Sequence, residues 1–253
     1  MKKTNKQSYL TLISAILLTT SSLAIGSEEK AAHWGYSGDQ GPNHWGTMKG
    51  NELCSAGKKQ SPIDMQGAAK AWLPPLNTDY STRPTEVINN GHTIQVNIAS
   101  GSTFKIQNQT FELKQFHFHS SSENRINGRS YPLEAHFVHA DKKGNLAVIA
   151  LMFDIGKENE GLAQLWQKMP EKAGEKVALT GTFKQKFVEL PKHSDYYSFK
   201  GSLTTPPCSE GVQWFVLSDS ETLSKEQVEK FRKAMGHPNN RPLQAINGRK
   251  ILH

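Results

Sequence analysis

Three histidines and the carboxylates near them are the residues whose types and spacing could do chemistry. Along Phe111–His119 the residues alternate, so a strand would place Leu113, Gln115, His117 and His119 on one face and Phe116 and Phe118 on the other. Two histidines at i and i+2 then project side by side. Glu134-Ala135-His136-Phe137-Val138 puts Glu134, His136 and Val138 on a common face in the same way. If the two strands are neighbours, three imidazoles converge. Three neutral nitrogens plus one open position is the catalytic form of a zinc site. Gln115 and Glu134 each lie two residues from a candidate ligand. A metal-bound imidazole needs its other N–H held by an amide, carbonyl or carboxylate, and these two side chains suit that task.

An isolated His-x-His pair has plainer readings, as two core or two surface histidines. It also has a competing metal reading. His117-x-His119-x-x-x-Glu123 fits the first metal motif of the cupins, another β-rich class, with Glu123 as a ligand. That motif expects a glycine soon afterwards, where position 130 is Ser130, and a later Pro-x-Gly-x-x-His stretch is missing.

The elements that must position these groups are mostly short alternating segments bounded by turn residues. Val87-Ile88 meets a turn at Asn89-Asn90-Gly91 before Thr93–Ile98. Thr103–Ile106 and Phe111–His119 are separated by Gln107-Asn108-Gln109-Thr110. Glu134–Ala140 and Leu146–Phe153 flank a hairpin loop at Asp141-Lys142-Lys143-Gly144, and Gln213–Leu217 reads as a buried strand. Two helices are expected. One covers Glu160–Lys168 and must stop before Pro170. The other is announced by a Ser224/Gln227 capping box, carries Val228 and Phe231 on one face, and stops at Gly236 and Pro238. The fold class is mainly β (α+β): a large, mostly antiparallel sheet with peripheral helices.

Lys2, Lys3 and Lys6 precede an apolar run from Tyr9 to Leu18 and small residues through Ser27, which reads as a secretory signal peptide over residues 1–26. The run is interrupted by Thr and Ser and is shorter than the ~20 apolar residues of a spanning helix. The expectation is export to the periplasm or beyond, no membrane anchor after cleavage, and one domain over residues 27–253. An oxidising compartment favours pairing Cys54 with Cys208, the only two cysteines, although two buried thiols are the alternative. Such a bridge would contribute roughly 5 kcal/mol at most by chain entropy. The formal charge of +7 falls to +4 without the three signal-peptide lysines. Lysines are scattered without aromatic interleaving, so nucleic acid is not an indicated partner.

Longer motifs then carry a resemblance. Gln115-Phe116-His117-Phe118-His119, Glu123, Glu134-Ala135-His136-Phe137-Val138-His139 and Gly201-Ser202-Leu203-Thr204-Thr205-Pro206-Pro207-Cys208 resemble the α-class carbonic anhydrases. So do His33-Trp34-Gly35-Tyr36, Gly41-Pro42-Asn43-His44-Trp45, Gln60-Ser61-Pro62-Ile63, Asn89-Asn90-Gly91-His92 and Asn240-Arg241-Pro242, in the family's order along the mature chain. The resemblance implies a large, mostly antiparallel twisted sheet and reversible hydration of carbon dioxide to bicarbonate and a proton, by zinc-activated hydroxide. It implies His117, His119 and His136 as zinc ligands, Gln115, Glu134 and the Asn239 carbonyl as their orienting acceptors, and Thr204 as a hydroxyl whose proton Glu123 accepts. His92 is implied as the proton shuttle, and Val138, Val148, Leu203, Thr205 and Trp214 as the substrate pocket. A Cys54–Cys208 disulfide matches secreted bacterial members.

Plainer roles stand beside these: an exposed turn residue for His92, a surface carboxylate for Glu123, packing for Trp34 and Trp45, a core histidine for His139. Ser120-Ser121-Ser122 departs from the aromatic found after the second ligand in animal members, and residues 68–85 align with nothing. A zinc-free binding module and a zinc esterase are the rival functions. Monomer and homodimer are both open.

Overall fold

In the computed structural model, which describes residues 33–180, 190 and 195–253, the strand with the least polar sequence lies inside the sheet rather than at an edge. This is β7 (Leu146–Ile155), between β6 (Leu133–Ala140) and β10 (Glu210–Leu223). Ala147, Ile149, Leu151 and Phe153 join one apolar cluster, while Val148, Ala150 and Met152 join a second. A strand covered on both faces needs apolar residues at consecutive positions, which accounts for the unbroken run in this segment.

Around it are β1 (Asn77–Asp79), β2 (Pro84–Asn89), β3 (Ile94–Ile98), β4 (Thr103–Ile106), β5 (Gln109–His119), β8 (Lys176–Ala178) and β9 (Tyr196–Ser202). The order is β8-β2-β3-β5-β6-β7-β10-β9, with β4 pairing β5 and β1 beside it. The pairing of β7 with β10 is parallel and the other described pairs are antiparallel. The expected β-rich, mostly antiparallel architecture is therefore present.

The helices are α1 (Leu53–Ala56), α2 (Glu160–Trp166) and α3 (Lys225–Met235). Leu162, Leu165 and Trp166 of α2, and Val228, Phe231 and Met235 of α3, all pack into the first cluster on one face of the sheet. The capping box forms: Ser224 Oγ accepts from the Gln227 backbone N–H at 3.3 Å, and Gln227 Oε1 accepts from the Ser224 backbone N–H at 3.0 Å. Gln227 also bonds the Asn159 backbone through both ends of its amide, at 2.9 and 2.8 Å. Asn159 is itself the N-cap of α2, its side chain accepting from the Leu162 N–H at 3.0 Å. One glutamine thus fixes two helix starts. Truncating the buried Phe231 to alanine would cost about 3–5 kcal/mol.

The structure differs from the sequence expectation in places with local causes. Leu113 was expected on the face of His117, yet it joins the first cluster with Phe116 and Phe118. A register irregularity between Leu113 and Gln115 inserts one residue and reverses the alternation there. The first helix ends at Trp166 rather than Lys168, and β10 continues well past Leu217 through an irregularity between Val216 and Ser220. The signal peptide expected over residues 1–26 lies outside the described residues. Among those described, no helix is long and apolar enough to cross a membrane.

Candidate metal centre

The pairing of β5 with β6 sets His117 directly opposite His136 and His119 opposite Glu134. The condition on which the three imidazoles converge is thereby met. Ring centroids are 5.1 Å apart for His117 and His119, 5.3 Å for His117 and His136, and 4.6 Å for His119 and His136. One nitrogen from each ring lies within 4.8 Å of the others, so the group could hold a metal ion.

Each remaining ring nitrogen has an acceptor. His117 Nδ1 is 2.8 Å from Gln115 Oε1, and His119 Nδ1 is 2.6 Å from the Asn239 carbonyl oxygen. His136 Nε2 approaches Glu134 Oε1 at 2.9 Å, a close contact rather than a well-aligned hydrogen bond. These contacts point His117 Nε2, His119 Nε2 and His136 Nδ1 at one another. Burial pushes all three imidazoles below the ordinary histidine range, and for His117 and His136 the neighbouring histidines add to it. Neutral imidazole is the metal-binding form. His119 Nε2 is buried with no hydrogen-bond partner, the kind of orphan that a metal ion satisfies. The donor set therefore fits zinc.

Glu134 is buried and does more than face His136. Its carboxylate accepts from the backbone N–H of Glu123 at 2.6 Å, from that of Asn124 at 2.9 Å, and from Asn124 Nδ2 at 2.7 Å. It thereby holds the turn that carries Glu123. Glu123 Oε1 accepts from the Arg241 backbone N–H at 2.8 Å, and the carboxyl also hydrogen-bonds the Thr204 side chain. Its Oε2 lies 3.5 Å from His119 Nε2. Burial pushes the Glu123 carboxyl up to about 8, against the pull of Arg241 and Thr204. Glu123 is 2 % exposed, so it is no surface carboxylate.

The residues expected to line a substrate pocket lie in the second cluster, on the face of the histidines: Val148 and Trp214 are buried there, with Val138 and Leu203 packed against them. The Trp214 ring stands edge-on to His136 at 4.9 Å. Thr205 lies in the following turn, where its carbonyl accepts from the Cys208 N–H at 2.9 Å. Cys208 is bonded to Cys54. A groove of about 1110 Å³ lined by Trp72, Leu76, Tyr196 and His253 shares no residue with the triad.

His92 follows a tight turn in which Asn90 Oδ1 accepts from the N–H groups of His92 and Thr93, both at 2.9 Å, with Gly91 at φ 83°. Its ring stacks on Trp34 at 3.7 Å and 12°, with His33 5.5 Å away. Partial burial, then the nearby His33 and His237, lower its pKa. Trp34 therefore touches a candidate functional group, whereas Trp45 is a fully buried packing residue. His139 is a buried core histidine.

Sequence reasoning missed two parts of the site. Asn124 and the Arg241 side chain carry no chemistry-bearing pattern, and only their contacts reveal them. Arg241 donates to Gln60 Oε1 at 2.9 Å, to the Ser61 carbonyl at 2.8 Å and to the Cys54 carbonyl at 2.8 Å. Residues 237–241 thus form a strap after α3 that touches the His92 turn, His119 and Glu123.

Comparison with known proteins follows this geometry. The family model described as eukaryotic-type carbonic anhydrase matches residues 40–253. A carbonic anhydrase of Pectobacterium atrosepticum is 45% identical over 240 residues, 94% of this chain and 98% of that protein. One from Neisseria gonorrhoeae is 43% identical over 243 residues, 95% of this chain and 96% of that one. Among solved structures, the α-carbonic anhydrase of Thermovibrio ammonificans, in complex with the inhibitor sulfanilamide, superposes with a TM-score of 0.85 at 48% identity, covering 88% of this chain and all of that one. The chain belongs to the eukaryotic-type, or α-class, carbonic anhydrase family of enzymes.

Proposed function

We propose that the chain hydrates carbon dioxide reversibly to bicarbonate using zinc held by His117, His119 and His136, with Thr204 and Glu123 orienting the reaction and His92 carrying the proton away. Family membership supports the hydration itself. The observation that carries the finer reading is the convergence of three neutral, individually oriented imidazoles.

Zinc, when bound, supplies a Lewis acid that lowers the pKa of coordinated water to about 7, carbonic anhydrase being itself the reference case. Gln115, the Asn239 carbonyl and Glu134 hold the rings in one tautomer and orientation. Thr204 donates a hydrogen bond to the Glu123 carboxylate and so presents a lone pair toward the triad. The Arg241 backbone N–H and cation and the Thr204 hydroxyl favour that carboxylate, against the effect of burial. Val138, Val148, Leu203 and Trp214 offer an apolar wall suited to an uncharged substrate that hydrogen-bonds weakly. His92 takes the released proton on a ring nitrogen and passes it to buffer.

The same reading takes residues 27–253 as one exported domain and places the protein in the periplasm or outside the cell. The oxidised Cys54–Cys208 pair supports that. Zinc content and stopped-flow hydration of the mature protein, beside His117→Ala and His92→Ala, test the proposal. One zinc per chain, loss of metal and activity in His117→Ala, and imidazole rescue of His92→Ala are expected. A wild-type protein without zinc or hydration would make the chain a binding module.

A further inference from the structure

His237 makes two ring contacts that a neutral imidazole cannot satisfy together. Its Nδ1 lies 2.8 Å from the Pro238 carbonyl oxygen and its Nε2 lies 3.1 Å from the Gly91 carbonyl oxygen. A carbonyl oxygen only accepts, so both contacts become hydrogen bonds only when both nitrogens carry protons, in the imidazolium. Two further features fix where the ring stands. His237 follows Gly236, the left-handed cap of α3 at φ 70°, so the ring stands at a helix C-terminus with its partial negative charge. The ring also lies on Tyr36, with centroids 6.0 Å apart and planes at 26°.

The Gly91 contact reaches the turn that precedes His92. That turn is fastened to the strap at a second point, where Asn239 Nδ2 donates to the His92 carbonyl at 3.1 Å. We propose that His237 is a positioning residue for His92, a latch that holds the Gly91–His92 turn to the end of α3. The proposal rests on reading His92 as the proton carrier.

The titratable groups around His237 are the Tyr36 phenol, on which its ring lies, and the His92 imidazole, which feels its charge. On α3, the last turn carries Arg232 and Lys233, and Arg232 Nε is directed to Ser120 Oγ at 2.8 Å. No carboxylate forms an ion pair with His237 among the described residues.

The test combines nitrogen-15 NMR of the zinc-loaded protein with hydration kinetics in dilute buffer. Hydrogen exchange at Gly91–Thr93 should be quicker in His237→Ala than in the wild type. His237→Ala and His237→Gln should lower kcat about two- to five-fold, the scale of one lost surface hydrogen bond, with kcat/KM unchanged. His237→Arg, which keeps a cation and two donors, should restore kcat. Exchange at the turn unaltered in His237→Ala overturns the latch. If His92→Ala itself turns over at the wild-type rate in dilute buffer, the reading of His92 falls and the catalytic role of His237 with it. The exchange data still decide whether the turn is held.

Discussion

The backbone N–H of Arg241 donates to Glu123 Oε1 at 2.8 Å, joining residues 118 positions apart, while the Arg241 guanidinium is buried among backbone carbonyls. Burial lowers its pKa only to about 10, so it remains a cation at neutral pH. Arg241→Ala would strand three buried acceptors, on Gln60, Ser61 and Cys54. A loss of about 3–5 kcal/mol in urea unfolding is expected, with slower hydration because the backbone that donates to Glu123 loses the side-chain bonds anchoring it. Arg241→Lys should recover only part of both. An alanine variant with wild-type stability would show that the guanidinium does not clamp the site.

Gln115 offers a cleaner probe of metal orientation than Glu134, because Glu134 also fastens the Glu123 turn. Gln115→Ala should weaken zinc binding about 10–100-fold in competition with a chelator. The metal-free protein should keep its secondary structure, since the apolar clusters on the two faces of the sheet do not depend on the ion. Unchanged zinc affinity in this variant would argue that His117 needs no partner for its Nδ1.

Acid sensitivity should be traceable to His139. The ring is wholly buried, its Nδ1–H faces the Ala147 carbonyl at 3.3 Å, and its Nε2 accepts from the Tyr80 hydroxyl at 2.8 Å. Burial lowers its pKa to about 3, whereas the unfolded chain takes the proton near 6.5. Between those values the unfolded state binds more protons, so stability falls as pH drops from about 6.5 to 3, by about 5 kcal/mol at most from this group. His139→Gln should unfold more readily at pH 7 yet show a shallower decline between pH 6 and 3. Equal slopes in urea titrations of the two proteins would remove His139 as the cause.

Reducing the Cys54–Cys208 bond should cost about 2–5 kcal/mol, seen as a fall in Tm under thiol. The Cys54 carbonyl is a ligand of the Arg241 guanidinium, and the Cys208 carbonyl accepts from Gln60 Nε2 at 3.0 Å. Hydration should therefore decline more than zinc content does. Parallel loss of zinc and activity would locate the damage at the triad instead.

How much of this was legible in the sequence depends on how local each cause is. Alternation in Phe111–His119 and Glu134–Ala140 foretold two strands, and the Ser224/Gln227 pair foretold the start of α3, because period and capping act within a few residues. Leu113 was misplaced because one inserted residue reverses a period-2 pattern without leaving a mark in composition. The strand β9, reading Tyr-Tyr-Ser-Phe-Lys-Gly-Ser, was missed because it mixes small, polar and aromatic residues and draws its order from β10. Asn124 and the Arg241 side chain were invisible for the same reason: their partners are supplied by the fold.

The strap at residues 237–241 sets an order of assembly. All three histidines and Glu123 lie in the first 136 positions, yet His119 finds its acceptor 120 residues later and Glu123 its donor 118 residues later. A chain still being synthesised, or cut before α3, would possess every proposed ligand and lack the groups that hold His119 and Glu123. On the proposed reading, the site is complete only once residues 237–241 have docked.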